Sequence, residues 1–289
     1  MTKESHTVQE MIYDKSLMRE VSRPNSFIFN IYGDIVTRRP GEQRVALAGL
    51  VRLMDPFGVS EASVRQSVSR LARQGWLRAE RSGNRAYYAV TDRGRRRIEE
   101  LSPRIYGPLV DWDGHWRMLV YSIDERRRDR RDRLRKELAV LGWAPLATAT
   151  WISPNGDLAA VAAAAAEAEA SGDIAIFESS HRGPGSDAAL VARCWNLPAI
   201  AAAYERFTEL YRPRLNAERS ARAFGERDAF VERLWLVHDY RKFTYVDPAL
   251  PSVLLPAHWP GSTAAAVFRE YYALLHDRSN RFFDRNAGP

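Results

Sequence analysis

A capped amphipathic helix between Ser60 and Gly75 constrains the fold of this chain more than any other stretch. Ser60 is a good N-cap, because its side-chain oxygen can accept a hydrogen bond from a free backbone N–H of the first turn. Gly75 supplies the C-terminal stop. Between them, apolar residues recur at helical spacing, so one face of the helix is suited to burial. That apolar face carries Val64, Val68 and Leu71.

The opposite face of this helix has the residue composition of helices that recognise bases in the major groove of DNA. Arginine can bridge guanine O6 and N7, glutamine can pair with adenine, and small residues fit close contacts. A solvated amphipathic helix is the alternative interpretation. Most solvated faces mix both signs of charge, whereas this one has no carboxylate beyond Glu61, which suits the helix dipole in the first turn. The DNA contacts predicted on this helix are Ser63, Arg65, Gln66, Ser69, Arg70 and Arg73.

A basic β-hairpin is predicted directly after this helix. Residues 76–80 and 86–90 are short strand-like stretches, and a Gly-Asn turn lies between them. Basic residues at the tip of such a hairpin suit contact with phosphates or with the minor groove. The DNA contacts predicted at the tip are Arg81, Asn84 and Arg85.

Three further helices surround the capped helix and its hairpin. Pro24 suits the first turn of a helix that runs to about Thr37. A second helix is predicted over 45–54, and Thr91 caps a closing helix to Leu101. Residues 23–105 therefore predict a winged helix-turn-helix DNA-binding domain.

The net charge of +7 is confined to the first third of the chain. Residues 1–105 hold 19 basic and 12 acidic residues, whereas residues 106–289 hold 24 of each. This asymmetry favours an anionic partner for the first third alone. An alternative is a general arginine bias of the genome, because only 4 of the 43 basic residues are lysine.

The sequence predicts a cytoplasmic protein with no membrane-spanning helix. Its apolar runs all break well before the ~18 residues of a transmembrane helix. Residues 1–22 are polar and aperiodic, which predicts a flexible arm rather than a secretory signal. Cys194 is the single cysteine, so an internal disulfide is excluded.

The rest of the chain predicts two further domains, which makes this an α+β multidomain protein. After a break at about 103–113, residues 113–182 alternate between three strand candidates and two helices, which suits a small α+β domain with helices on a sheet face. Residues 186–289 are mostly helical and form the predicted effector and dimerisation domain. The loop 247–261, with its four prolines, interrupts them.

Three separated groups of motifs carry a family resemblance. They are VRQSVSRL at 64–71 closed by Gly75-Trp76-Leu77; the strand 116–124 with Gly142-Trp143 and 151–154; and the segments 238–243, 247–251 and 255–261. In this order they resemble the PaaX family, bacterial repressors of phenylacetic-acid catabolism and related aromatic pathways. The resemblance covers nearly all of residues 22–275.

The resemblance implies a fold for the middle domain and an effector. The middle domain would be ferredoxin-like, similar to the CRISPR adaptation nuclease. The effector would be an aromatic acyl-coenzyme A such as phenylacetyl-CoA, which releases the repressor from DNA; a free aromatic acid is the alternative. We expect a homodimer whose two recognition helices enter successive major grooves about 34 Å apart, and hence a pseudo-palindromic operator.

Cations and aromatic residues come together near the end of the chain. A helix predicted from Glu226 to Tyr245 places basic residues beside aromatic rings, which suits a ligand with both negative charge and a flat apolar group. A purely structural role for these residues is the alternative. The predicted effector contacts are His238, Arg241, Lys242, Tyr245 and Trp259.

We expect no enzymatic activity, no metal and no cofactor. The catalytic motifs of hydrolases, metalloproteases and nucleotide-binding loops are absent. The alternative is a metal-dependent nuclease using Asp124, although a helix-capping role fits this residue better because the basic run 126–128 disfavours a cation site. The segment 126–136 holds eight basic and two acidic residues; it predicts a solvated helix, a second DNA-backbone surface or a site for coenzyme A phosphates. An architectural DNA binder without an effector is a further alternative.

Overall fold

The computed structural model describes residues 23–41, 43–107, 111–155, 157–221 and 224–289. The predicted flexible arm, residues 1–22, lies outside them. The chain divides into two compact units. Unit 1 takes its described residues from Met1–Gly107, Glu205–Lys242 and Ser262–Pro289, and unit 2 takes its own from Pro108–Tyr204 and Phe243–Gly261.

The first part of unit 1 is helical with a small sheet. In chain order it contains α1 (Pro24–Ile31), a π-helical turn (Tyr32–Val36), β1 (Arg44–Ala46), α2 (Leu47–Met54), a 3-10 turn (Asp55–Phe57), α3 (Glu61–Arg73), β2 (Leu77–Ser82), β3 (Arg85–Val90) and α4 (Asp92–Tyr106). The three strands are antiparallel in the order β1-β3-β2.

The first part of unit 2 is an α+β arrangement. It contains β4 (Trp116–Tyr121), a 3-10 turn (Glu125–Arg127), α5 (Arg128–Val140), β5 (Ala144–Ala147), β6 (Thr150–Ser153), α6 (Leu158–Glu167), a 3-10 turn (Ser171–Asp173), β7 (Ile174–Ser179) and α7 (Asp187–Cys194). Its strands are antiparallel in the order β5-β6-β4-β7.

The remaining elements are mostly long helices. They are α8 (Leu197–Ala221), α9 (Glu226–Tyr240), a 3-10 turn (Arg241–Tyr245), a 3-10 turn (Ser252–Leu254) and α10 (Pro260–Asn286). The helix predicted to continue to Tyr245 therefore ends at Tyr240 and tightens into a 3-10 turn.

The structure corrects three details of the sequence-based elements. The start of the helix predicted over 45–54 is instead the strand β1, because it pairs with β3. The strand β5 is absent from the three strands that the sequence predicts for the middle segment; it forms by pairing with β6. Helix α4 continues past Pro103 to Tyr106, where the Tyr106 hydroxyl donates to Asp34 at 2.7 Å and so anchors the last turn.

Apolar residues from both ends of the chain share the core of unit 1. Helices α1, α2 and α3 bury their apolar faces against one another and against β2, β3 and α4. The same cluster includes four residues from the C-terminal helices α9 and α10, namely Phe230, Leu234, Trp235 and Phe283.

A buried ion pair lies within unit 1. Arg233 of α9 donates from Nε to Asp34 Oδ2 at 2.7 Å, and the two side chains are 1% and 0% exposed. The hydroxyls of Tyr106 and Tyr272 donate to the other carboxylate oxygen at 2.7 and 2.8 Å. Arg233 also donates to the Asn280 side chain at 2.9 Å. Burial, together with the Asp34 charge, raises the pKa of both tyrosines, so they remain protonated donors.

The C-terminal residues of unit 1 pack directly on helix α2. A Cβ atom at Gly49 would lie 2.3 Å from the carbonyl oxygen of Ala287, so only glycine permits this backbone approach. Arg52 donates from Nε to the carbonyl oxygen of Asn286 at 3.1 Å. The position of α2 therefore depends on residues more than 230 positions away in sequence.

Both faces of the sheet in unit 2 are apolar. Because side chains alternate along a strand, Leu119 and Tyr121 join one cluster with α5 and α6. Trp116 faces the opposite way and joins a second cluster with α7 and the loop residues Leu250 and Leu254.

The loop that follows Asp247 is held against the middle segment of unit 2. The side chain of Asn155 donates to the carbonyl oxygens of Pro248 and Ala249, each at 3.0 Å. Gly142, with φ +84°, approaches so closely that its Cβ would lie 2.8 Å from the Pro248 oxygen. Two of the motifs that carry the family resemblance therefore contact each other.

None of the helices in the described part of the chain is both long and apolar enough to cross a membrane.

The substitution Arg233→Met is expected to lower the free energy of unfolding by about 3–5 kcal/mol, because it leaves the Asp34 carboxylate buried without its cation. Urea denaturation measures this change. Arg219→Ala is the control, since its ion pair with Glu270 is exposed and should contribute at most about 1 kcal/mol. The double variant Asp34→Leu/Arg233→Met should be less destabilised than Arg233→Met alone. Equal effects of Arg233→Met and Arg219→Ala would contradict the importance of this pair.

Candidate nucleic-acid interface

Helix α3 begins as predicted, at a serine cap. Ser60 has extended backbone angles (φ −64°, ψ 153°), and its side chain accepts a hydrogen bond from the backbone N–H of Ser63 at 3.3 Å. The two hydroxyls also lie 3.0 Å apart. Ser63 is therefore half-buried in the cap, and it is the least exposed of the predicted DNA contacts.

The two faces of α3 differ as the sequence pattern predicts. The apolar face is buried in the core of unit 1 through Val64, Val68 and Leu71. The exposed face carries the remaining predicted contacts on this helix, which are Arg65, Gln66, Ser69, Arg70 and Arg73.

The C-terminal end of α3 is fastened by residues at the start of α4. Gly75 takes the left-handed conformation (φ +74°) that ends the helix. Thr91 donates from its hydroxyl to the carbonyl oxygen of Gly75 at 2.6 Å. Arg93 donates to the carbonyl oxygen of Gln74 at 3.0 Å and lies 4.4 Å from the centre of the Trp76 ring. These contacts hold α3 relative to the hairpin that follows.

The hairpin presents its tip to solvent. Strands β2 and β3 pair in register from Leu77 with Val90 to Ser82 with Arg85, so the loop has two residues. Gly83 takes φ +59°, and glycine at the first loop position suits a type II′ turn. The predicted contacts at the tip are all exposed, namely Arg81, Asn84 and Arg85.

The arginines of this surface, which we call the basic surface (α3 and the β2–β3 tip), differ in their ion pairing. Arg65 pairs with Glu61, one turn earlier on α3, at 2.6 Å. In contrast, no carboxylate of the described residues lies within 4.0 Å of the guanidinium groups of Arg70, Arg73, Arg81 or Arg85. Among those described residues, the four groups are available to an external anion.

Two features that shape this surface are not among the sequence-based predictions. One is the ion pair of Glu61 with Arg65, although the (i, i+4) spacing is a signal for such a pair. The other is the contact of Arg93 with the end of α3. That contact has no sequence signal, because the two segments meet only when β2 and β3 fold back.

In unit 1, the environment of His238 is aromatic. Its ring stacks on Phe27 with centroids 4.4 Å apart, and it meets Trp235 edge-on at 5.8 Å. Burial, together with the charges of Arg241 and Lys242, lowers the pKa of His238 to about 2. The imidazole is therefore neutral at physiological pH, and its buried Nδ1 has no hydrogen-bond partner among the described residues.

The two cations beside His238 have partners within unit 1. Arg241 donates to the hydroxyl of Ser26 in α1. Lys242 pairs with Asp239 at 2.7 Å, and the same carboxylate accepts from the Tyr211 hydroxyl at 2.7 Å. Both cations are half-buried.

The other two predicted effector residues, Tyr245 and Trp259, belong to unit 2. Tyr245 is 45% exposed. Trp259 meets the ring of Tyr204 edge-on at 6.3 Å, and Tyr204 in turn stacks on Phe243 at 3.9 Å. Trp259 is thus part of an aromatic cluster of its own unit.

Ion pairs occupy much of the basic segment 126–136. This is the pattern of a solvated helix, and it reduces the positive charge that the segment offers to phosphates. Among these pairs are Arg127 with Asp173 at 3.1 Å, Arg128 with Asp132 at 3.5 Å, Arg130 with Glu169 at 2.7 Å and Arg131 with Glu125 at 2.5 Å.

Asp124 caps the 3-10 turn that follows it. Its Oδ1 accepts from the backbone N–H of Arg126 at 2.8 Å. Across the described residues, no group of three or more histidine, cysteine, aspartate or glutamate side chains is arranged to hold a metal ion. The geometry at Asp124 is that of a helix cap.

An exposed arginine- and glutamine-bearing helix beside a basic hairpin, both mounted on a helical core, is an arrangement typical of DNA-binding proteins. Three family models match the chain in order: the PaaX-like protein at 23–94, the PaaX protein central Cas2-like domain at 109–191 and the PaaX-like protein C-terminal domain at 195–285. The chain is also 34% identical over 252 residues to the transcriptional repressor PaaX of Escherichia coli strain K12, covering 86% of this chain and 78% of that protein. This chain belongs to the PaaX family.

A solved structure with a similar fold is that of an uncharacterised protein from Mycobacterium tuberculosis, with a TM-score of 0.56 and 23% identity. The similarity covers 88% of this chain and 97% of that one.

Proposed function

We propose that this protein is a transcriptional repressor of an aromatic-compound catabolic operon, which binds operator DNA through the basic surface and is released by an effector. The observation that carries the proposal is the exposed face of α3 in a chain 34% identical to a transcriptional repressor over 252 residues. On that face Arg70 and Arg73 have no carboxylate partner among the described residues. The position of that face within the segment matched by the PaaX-like model supports it.

The fold elements support a finer assignment of the domains. For residues 23–105 we propose a winged helix-turn-helix, since α2 and α3 are joined by a short turn and followed by the β2–β3 hairpin. For residues 113–182 we propose a ferredoxin-like domain, since the βαββαβ order and the sheet order β5-β6-β4-β7 suit that fold. For residues 186–289 we propose the helical effector and dimerisation domain.

The basic surface would contact DNA in two ways. From α3, the base edges of the major groove would be read by Arg65, Gln66, Ser69 and Arg70, with Ser63 near the helix start. The remaining positions would hold phosphates or the minor groove, and they are Arg73, Arg81, Asn84 and Arg85. A homodimer would present two such surfaces to a pseudo-palindromic operator.

The effector would be an aromatic acyl-coenzyme A such as phenylacetyl-CoA, or a free aromatic acid. It must bind the DNA-free state better than the DNA-bound state, because a ligand shifts an equilibrium only by its differential affinity. We propose contacts from His238, Arg241 and Lys242 in unit 1, where half-buried cations adjoin aromatic rings. In unit 2 we propose Tyr245 and Trp259.

Fluorescence anisotropy tests the function directly. The full chain is titrated onto labelled DNA from upstream of its own coding region, at fixed salt, without ligand, with phenylacetyl-CoA and with free phenylacetic acid. Tight, sequence-specific binding that the thioester reverses supports the repressor and its effector class together. Binding that only the free acid reverses would transfer the effector role to the acid. Binding unaffected by either would point to an architectural DNA binder, and no specific binding would refute the proposal.

Arg70→Ala is expected to weaken operator binding by about 1–3 kcal/mol and to relax the base preference at one position of each half-site, because arginine pairs bidentately with guanine. Anisotropy on a set of single-base operator variants measures both effects. Arg227→Ala is the matched control, since Arg227 is exposed on α9 rather than on the basic surface. Unchanged affinity in Arg70→Ala would remove this residue from the base-reading set.

Arg85→Ala is expected to weaken binding to all sequences alike, because a phosphate contact carries no sequence information. The slope of log affinity against log salt should fall in magnitude by about 1. Titrations at several salt concentrations, on operator and scrambled DNA, provide the measurement. A loss confined to operator DNA would instead make Arg85 a base-reading residue.

Arg241→Ala is expected to leave operator affinity nearly unchanged and to abolish release by the effector, because it removes a cation proposed to meet the negative charge of the ligand. Ser26→Ala is the control, since it removes the hydrogen-bond partner of Arg241 but keeps the guanidinium. The measurement is the effector concentration that gives half-maximal release. Normal release in Arg241→Ala would assign the effector site elsewhere.

A further inference from the structure

Glu61 lies on the exposed face of α3, among the residues proposed to read DNA. Within the sequence of α3 it is the one acidic residue. Its Oε1 atom accepts from Nε of Arg65 at 2.8 Å and lies 2.6 Å from Nη2 of the same guanidinium. The two side chains remain 57% and 58% exposed. A carboxylate at this position repels the phosphates of DNA that approaches this face.

The geometry of the pair leaves one edge of the guanidinium open. A guanidinium has five N–H donors in a planar fork. The contacts with Glu61 engage Nε and one N–H of Nη2. The edge formed by Nη1 and the other N–H of Nη2 still offers two parallel donors, which match O6 and N7 of guanine. The carboxylate therefore restricts the conformations of Arg65 without occupying the edge that reads a base.

The charge of Glu61 acts in a second way. Non-specific DNA binding arises almost entirely from cations that neutralise phosphates. Pairing with Glu61 cancels the net charge of Arg65, so this arginine contributes little to non-specific binding. Arg70 and Arg73, on the same exposed face, have no such carboxylate neighbour among the described residues.

We propose that Glu61 is a specificity-determining residue: it positions the Arg65 guanidinium for a bidentate contact with guanine and suppresses contact of that arginine with phosphates. Glu61 thus raises the ratio of operator affinity to non-specific affinity rather than operator affinity itself. The inference rests on the proposed function, because it requires that α3 reads operator DNA.

The test compares wild-type protein with Glu61→Asp, Glu61→Ala, Arg65→Ala and the Glu61→Ala/Arg65→Ala double variant. Each full-length protein selects from a randomised duplex library, and its affinity for the wild-type consensus and a scrambled duplex is measured by anisotropy. Glu61→Asp keeps the negative charge at the helix start, but its side chain is one methylene shorter, so we expect it to weaken the two-point contact with Nε and Nη2 of Arg65. Glu99→Gln is the control, since it removes an exposed carboxylate from α4.

We expect Glu61→Ala to lower the ratio of consensus to scrambled affinity by about tenfold, within the discrimination of one bidentate pair, and Glu61→Asp to lower it by less. Glu61→Ala should lose the guanine preference at the position that Arg65→Ala also loses. Glu61→Ala should additionally bind scrambled DNA more tightly than wild type does. The double variant should match Arg65→Ala in its ratio, and Glu99→Gln should match wild type.

The contrary outcomes separate this inference from the proposed function. If the wild-type protein enriches no consensus, operator binding itself fails, and the role of Glu61 fails with it. If wild type enriches a consensus and Glu61→Ala keeps the same consensus and ratio, only the role of Glu61 is overturned. If the ratio of consensus to scrambled affinity is lower in the double variant than in Arg65→Ala, Glu61 contacts a base itself and does not act through Arg65. A purely structural role would lower the melting temperature without changing the ratio.

Discussion

The buried ion pair between Arg233 and Asp34 is the interaction on which the arrangement of unit 1 depends. Two charges removed from water are tolerated only when each is paired and hydrogen-bonded. Here the carboxylate also accepts from Tyr106 and Tyr272. The pair therefore ties four helical segments together: the π-helical turn after α1, then α4, α9 and α10. Because it is directional, it specifies one relative placement of these segments, which burial of apolar surface alone would not.

The placement of these segments affects the proposed DNA contacts, because it determines the core on which α3 packs. The apolar face of α3 packs on α1 and α2, whose core includes residues from α9 and α10. The exposed face of α3 is thus carried on a core built from both ends of the chain. A ligand that altered the packing of α9 would act on the same core that supports α3. The half-buried residues Arg241 and Lys242, which we propose as effector contacts, directly follow α9.

Much of the basic surface could be predicted from the sequence because its signals are local. The serine cap of α3, the spacing of Val64 and Val68, and the glycine at the hairpin turn depend only on neighbouring residues. Other elements could not be predicted. The strand Arg44–Ala46 forms because β3 offers it a partner, and α4 continues past Pro103 because Tyr106 is anchored to Asp34. In each case a contact distant in sequence outweighs the local preference.

The sequence by itself determined the boundaries of α3, its division into an apolar and a basic face, the hairpin that follows and the motifs that place the chain in the PaaX family. Only the tertiary structure decided which C-terminal residues complete the core around that helix. It also decided that Arg233 pairs with Asp34, 199 positions away in sequence. The physical reason is the range of the interactions. Capping and helical periodicity act over one or two turns, whereas a buried charge or a close backbone contact such as Gly49 with Ala287 exists only after distant segments have met.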